Sequence, residues 1–187
     1  MSITIGDTLP GATLLQLGEN GPEAVNLADK LKGRKVVIFA VPGAYTGVCT
    51  TAHVPSFIRT KDKFAAKGVD EIICVSVNDP FVMKAWGEST GAAAAGITFL
   101  ADASAEFTKA IGLAFTAPPV GFYDRSKRYA LYAEDGVVKV LHVEGGRNLY
   151  GGAHQVLLLI EGLKARGVEN VLTCRTGSEL ADAARAG

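Results

Sequence analysis

Cysteine is scarce in this chain and charge is balanced, and each shortage closes off a class of function. Three cysteines among 187 residues do not make a disulfide framework, because the number is odd and the chain is long enough to build a core without staples. No C-x-x-C pair occurs, which argues against an enzyme that exchanges disulfides. Nineteen basic residues offset nineteen acidic ones, so no global field draws the chain to nucleic acid or to an anionic membrane. No apolar run approaches the roughly 20 residues that span a bilayer. The start, "MSITIGDTLPG", has no basic segment leading into an apolar one, so no secretory signal is expected. The expectation is a reducing, cytoplasmic setting, where a cysteine is catalytic or buried rather than a staple. His53, His142 and His154 are scattered, without H-E-x-x-H or grouped cysteines, so no metal is expected. The glycines of "EGGRNLYGGAH" lack G-x-x-x-x-G-K-[ST] and read as a turn before a helix rather than a phosphate loop.

What is present fits a compact domain: hydrophobic residues make up 48% and charged residues 20%, far from a disordered composition. "ATLLQL" (Ala12 to Leu17) reads as an early strand or hairpin arm. "KVVIFAV" (Lys35 to Val41) is a continuous β-branched run of the kind buried on both faces of a sheet. A helix is predicted from about Cys49 to Lys67, stopping at Gly68. "EIICVSV" (Glu71 to Val77) is a second central strand, and "PFVMKAWGESTG" opens a helix with proline at its first position. "ITFLAD" and "AEFTKAIG" add a strand and a short helix. In "RYALYAEDGVVKVLHVE" two strands meet at Asp135-Gly136, a hairpin signal, and "AHQVLLLIEGLKARG" is a last amphipathic helix. This alternation predicts an α/β fold, a central mixed sheet flanked by helices, of thioredoxin-like type. The domain is expected over residues 1–166, followed by a tail, 167–187, with a short helix from Ser178.

The stretch "VPGAYTGVCTTAHVPSF" (Val41 to Phe57) holds the chemistry. Cys49 falls where a strand ends and a helix begins, and a helix N-terminus presents unpaired N–H groups and a positive dipole end that favour a thiolate over a thiol. Thr46, three residues earlier, has a hydroxyl within reach of the sulfur or of a small ligand beside it. Pro42 fixes the turn and walls one side of the pocket. Spacing alone also admits an ordinary buried cysteine, with Thr46 as a helix cap.

Pro42, Thr46 and Cys49 match P-x-x-x-T-x-x-C, and on this motif the chain resembles the peroxiredoxins. The fuller "VPGAYTGVC…HVPSF" is similar to their atypical, type II (peroxiredoxin-5-like) branch. "IGDTLP", "CVSVNDPFVMKAWG", "FLAD" and "RSKRYALYAEDGVVKVLHVE" extend the likeness in order. The resemblance implies a thiol peroxidase acting on hydrogen peroxide and small organic hydroperoxides, without a cofactor. Cys49 would attack the peroxide and become a sulfenic acid, Thr46 would hydrogen-bond peroxide and thiolate, and Pro42 would shield the sulfenate. Arg128 matches the family's catalytic arginine, a choice the residues alone leave open, since Arg125 lies three positions before it. The backbone N–H groups of Val48 and Cys49 would complete the substrate contacts. The chain departs from the type II pattern at Gly47, where proline is usual.

Two thiols remain as possible resolving cysteines. Cys74, inside "EIICVSV", reads as a core thiol, although some plant members are described as pairing a cysteine at this place with the reactive one. Cys174 sits in the tail, as a resolving or an incidental surface thiol. "RNLYGGAH" lacks the C-terminal cysteine of other relatives, so a single-cysteine cycle on glutathione, often through glutaredoxin, is expected, with thioredoxin the runner-up. A non-catalytic redox sensor or chaperone module is the reading of another class. His53 is expected as a partly exposed helix residue that supports the site sterically, or else tunes it. Trp86 and Phe81 are expected to pack, in a region that in the resembling family approaches a dimer partner, so a homodimer is expected.

Overall fold

The computed structural model of the protein describes residues 2–144. The expected last helix, the "RNLYGGAH" turn, His154, the tail and Cys174 lie outside the described residues.

The chain opens with a hairpin: β1 (Thr13–Gly18) pairs antiparallel with β2 (Gly21–Asn26). The sequence reading anticipated β1 but not β2, whose Pro22 and mostly exposed side chains give no strand pattern. Proline is tolerated there because β2 is an edge strand. The Asn26 side chain accepts the Asp29 N–H and starts the short α1 (Leu27–Leu31). Then follow β3 (Lys35–Val41), a helical segment described below, β4 (Glu71–Ser76), α3 (Pro80–Ser89), β5 (Thr98–Ala101) and α4 (Glu106–Ala110). Asp79 caps α3 by accepting the Val82 N–H, with Pro80 inside the first turn, as predicted. A small two-stranded sheet, β6 (Ala114–Ala117) with β7 (Phe122–Ser126), also escaped the sequence reading. The hairpin of β8 (Arg128–Glu134) and β9 (Val137–Glu144) turns at Asp135 and Gly136, whose φ angles are +49° and +75°. Both central residues of such a two-residue turn need the left-handed region, which Asp-Gly supplies.

Seven strands form one sheet in the order β2-β1-β5-β4-β3-β8-β9. β3, β4 and β5 run parallel to one another, and the remaining pairs are antiparallel. This is the mixed, thioredoxin-like sheet expected from the sequence. The strand period of two divides the core: Val36, Ile38, Ala40, Ile73 and Val75 pack on one face with Leu27, Leu31 and Phe107. Val37, Phe39, Val41, Ile72 and Cys74 pack on the other face with Phe57, Met83, Trp86 and Cys49. Cys49 is therefore packed against the sheet itself, on the same face as Cys74.

Candidate active site

β3 ends at Val41, and the chain passes through Pro42 to Thr46 before helical backbone begins at Gly47. The predicted single helix is two pieces. Cys49–His53 forms a π-helical turn, in which the Val54 N–H donates to the Cys49 carbonyl, and α2 proper runs Val54–Ala66. Pro55 supplies the physical reason. It has no N–H to donate, and its ring clashes with the carbonyl of the fourth residue before it, Thr51, if the helix stays regular. Widening that turn by one residue relieves the clash, and the widened turn is the one that begins at Cys49. Gly68, at φ +80°, stops the helix where it was expected to stop.

Cys49 is 1% exposed. The Arg128 Nη2 donates to its Sγ at 3.5 Å, although 79 positions separate the two residues. Sheet register brings them together: Ala40 stands opposite Tyr129, so Arg128 falls level with the last residue of β3, beside the turn that carries Cys49. Arg125 has another task. Its Nη1 donates to the Val77 carbonyl at 2.5 Å and its guanidinium lies 5.6 Å from the centroid of the Phe122 ring. Of the two arginines, Arg128 is the one in contact with the Cys49 sulfur.

Thr46 differs from expectation in detail. Its Oγ1 donates to the Gly43 carbonyl at 2.8 Å rather than to the sulfur. The single hydroxyl proton is committed to the loop, and the oxygen lone pairs remain to accept a hydrogen bond from a small substrate. Pro42 is half-buried on the loop between β3 and Thr46. Val48 adopts helical backbone immediately before the nucleophile candidate.

His53 is a correction: it is buried, not partly exposed. Its ring lies 5.5 Å from the Phe39 ring and 5.4 Å from the Phe57 ring, which themselves stack at 3.9 Å. Desolvation and, after it, the nearby Arg128 charge lower its pKa to about 3. His53 lies four residues after the buried Cys49 and shares its inward face. Neutral His53 therefore leaves Arg128 as the positive charge in contact with Cys49. Trp86 packs as expected, fully buried, and its Nε1 donates to the Thr50 Oγ1 at 3.1 Å, tying α3 to the residue after Cys49. Phe81 does not pack; it is 58% exposed.

Cys74 lies in the middle of β4, hydrogen-bonded within the sheet between Phe39 and Phe99 and fully buried. Burial, and secondarily the Cys49 charge, hold its thiol well above the usual cysteine range. Both described cysteines are free thiols. Sequence reasoning missed Asn78: its Oδ1 accepts the Ala44 N–H at 3.0 Å and the Ser76 hydroxyl at 2.8 Å. Only the asparagine in "SVND" hinted at it, and a turn explained that residue equally well.

A thiol on the helical turn that follows a central parallel strand, with a guanidinium on its sulfur and no second thiol on its helix, is an arrangement able to activate a cysteine as a nucleophile on a thioredoxin-like sheet. The chain matches the Redoxin family model over residues 4–152. It is 48% identical over 149 residues to the chloroplastic Peroxiredoxin-2E-2 of Oryza sativa subsp. japonica, a match covering 78% of this chain and 66% of that protein. Peroxiredoxin-2C of the same organism is 43% identical over 157 residues, covering 83% of this chain and 96% of that protein. The crystal structure of reduced Prx3 from Vibrio vulnificus in complex with hydrogen peroxide superposes with a TM-score of 0.74 at 45% identity, covering 84% of this chain and 99% of that one. The chain belongs to the peroxiredoxins, in their type II branch, and is a thiol-dependent peroxidase.

Proposed function

We propose that Cys49 is the peroxide-reducing nucleophile and that Thr46, Arg128 and Pro42 shape the peroxide pocket around it. The Cys49 thiolate attacks one peroxide oxygen of hydrogen peroxide or a small organic hydroperoxide. The S–O bond forms as the O–O bond breaks, and sulfur loses two electrons to the peroxide. The departing oxygen takes the proton that the attacked oxygen gives up, leaving as water or alcohol while Cys49 becomes a sulfenate. Arg128 stabilises both the thiolate and the charge that develops on the oxygens. The Thr46 oxygen accepts a hydrogen bond from the peroxide O–H, and the N–H groups of Val48 and Cys49 donate to the peroxide. Pro42 screens the resulting sulfenic acid from a second oxidation. No metal, flavin or haem enters, because sulfur carries the electrons. The observation that carries this reading is the 3.5 Å contact from Arg128 Nη2 to Cys49 Sγ.

The sulfenate is recycled by glutathione, commonly with glutaredoxin. A glutathione thiolate attacks the Cys49 sulfur and displaces hydroxide, which leaves as water. A second thiol then attacks the mixed disulfide, restoring the Cys49 thiolate. The full burial of Cys74 inside a central strand favours this single-cysteine cycle, since pairing with Cys49 requires opening β4. A thioredoxin-dependent cycle through Cys174 is the second reading. Because Cys49 is itself buried, a reductant, whether glutathione or a protein, requires the π-turn to open. The exposed Tyr45, on the pocket loop, and the exposed Phe81, in the first turn of α3, favour a homodimer across this face. The proposed setting is the cytoplasm.

Hydrogen peroxide consumption by wild type, Cys49→Ser and Cys174→Ser tests the reading, with glutathione plus glutaredoxin run beside thioredoxin plus its reductase. Cys49→Ser is expected to consume none, and Cys174→Ser to match wild type with glutaredoxin. Retained activity in Cys49→Ser ends the assignment. Thioredoxin-driven turnover that Cys174→Ser loses replaces the single-cysteine cycle with the second reading.

A further inference from the structure

The pocket loop is an unstable object by itself. Tyr45, in its middle, holds φ +58°, a left-handed conformation that costs a non-glycine residue energy. Such a residue persists only where its surroundings over-determine it, and the surroundings here are specific. The N–H of Ala44, the residue directly before Tyr45, donates to Asn78 Oδ1 at 3.0 Å. That same oxygen accepts the hydroxyl of Ser76, a fully buried residue at the end of β4, at 2.8 Å. One residue along, the Val77 carbonyl accepts Arg125 Nη1 from β7. The three elements converge on Gly43: a side chain there meets Thr46 Cγ2 at 3.4 Å, Arg125 Nη1 at 3.6 Å and Asn78 Oδ1 at 3.9 Å. Gly43 is also the residue whose carbonyl takes the Thr46 hydroxyl proton.

We propose that Asn78 is a positioning residue for peroxide reduction, backed by Ser76 and Arg125. It acts through the Pro42–Thr46 loop and not on the sulfur. This rests on the reading of Cys49 as the peroxide-reducing nucleophile. Asn78 fixes Ala44, the strained Tyr45 follows, and Gly43 and Thr46 are thereby held where the threonine oxygen meets the substrate. Cys49 is carried by the π-turn and contacted by Arg128, and the Asn78 oxygen contacts neither; the loop meets the π-turn through the Thr46 carbonyl, which accepts the Thr50 N–H at 3.0 Å. The contacts that hold the sulfur are therefore not those that Asn78 fixes. Loosening the loop misplaces the peroxide contacts while leaving the thiolate intact.

Two reagents report the two parts. Iodoacetamide needs only a reactive thiolate, whereas hydrogen peroxide needs the thiolate and the loop. Second-order rate constants for both are measured by stopped flow on reduced wild type, Asn78→Leu, Asn78→Asp and Arg125→Met, with circular dichroism as the check on folding. Leucine removes the acceptor; aspartate keeps an oxygen for both donors. Asn78→Leu is expected to lose at least tenfold in the peroxide rate while alkylation changes less than twofold. Asn78→Asp is expected to stay within threefold of wild type with peroxide. Arg125→Met, which leaves Asn78 in place, is expected to lose severalfold with peroxide alone, and decides the matter if Asn78→Leu does not fold. Parallel loss of both rates, an unchanged peroxide rate in Asn78→Leu, or an Asn78→Asp as slow as Asn78→Leu overturns the proposal. So does an unchanged Arg125→Met where Asn78→Leu fails to fold. A wild type that alkylates at Cys49 yet shows no peroxide reaction overturns the underlying reading instead.

Discussion

Arg128 reaches the Cys49 sulfur from the first residue of β8, at the level where β3 gives way to the pocket loop. The sheet's register sets the arginine's end of the contact, and the π-turn beyond the pocket loop sets the sulfur's. A planar guanidinium in that place offers fixed, always-charged donors to sulfur and to a departing oxygen together.

Arg128→Met is therefore expected to lower the second-order rate with hydrogen peroxide by about 10²- to 10³-fold, the usual cost of removing one preorganised donor to developing charge. Arg128→Lys keeps a point charge but not the fork, and is expected to recover part of the loss. Stopped-flow oxidation of reduced protein checks both. A methionine variant within threefold of wild type moves the role away from Arg128.

Cys74 sits across the same core face from Cys49 without being accessible to it. Cys74→Val, close in volume and apolar, is expected to keep full glutaredoxin-driven turnover and to fold as wild type does. Cys74→Ser puts an extra polar group into a dry strand and is expected to destabilise by roughly 1–3 kcal/mol. Intact-mass measurement after one equivalent of peroxide without reductant gives the sharper test. Gain of one oxygen is expected, and loss of two hydrogens in wild type but not in Cys74→Val shows that Cys74 resolves Cys49 after all.

His53 links the site to pH through stability. Its pKa is about 3 in the folded protein and near 6.5 when unfolded. Between those values the unfolded chain binds a proton that the native one refuses. Stability is accordingly whole above about pH 6.5 and falls as pH drops toward 3. At pH 5 this single residue is expected to cost about 2 kcal/mol. Urea unfolding at pH 7 and pH 5 of wild type and His53→Leu isolates it. Wild type should lose more stability between the two pH values than the variant, by about that amount. Equal losses show that His53 is free to protonate in place.

Much of this molecule is readable from residue order because its signals are local. The uniform apolar run of Lys35 to Val41, the proline opening α3 and the Asp-Gly turn between β8 and β9 each encode their own conformation. Cys49, Pro42 and Thr46 are legible for the same reason, being spaced along one short segment. What stayed hidden depends on packing at a distance. β2 is exposed along most of its length and has no strand pattern of its own. The burial of His53 depends on Phe39 and Phe57 covering the helix face it shares with Cys49, a tertiary contact with no local signal. Asn78 bonds Ala44 of the pocket loop, and Arg125 bonds Val77 beside Asn78, through hydrogen bonds spanning 34 and 48 positions. Separation of that kind leaves no periodicity to detect.

Gly47 is the one departure from the type II pattern inside the motif, and the structure gives room to reverse it. A Cβ at Gly47 meets nothing within 4 Å, and its φ is not positive. Gly47 opens the helical backbone after Thr46, the place where a proline's fixed φ is pre-organised and its missing N–H costs least. Gly47→Pro removes freedom from the unfolded chain without asking the folded one to move, and is expected to stabilise by about 0.4–1 kcal/mol. The peroxide rate is expected to stay within twofold, since Thr46, Cys49 and Arg128 keep their contacts. Thermal unfolding with stopped-flow oxidation of the same sample checks both halves. A variant that is more stable but markedly slower shows that freedom at Gly47 is used during turnover, and one that is less stable shows that the Thr46–Gly47 backbone does not accept the ring.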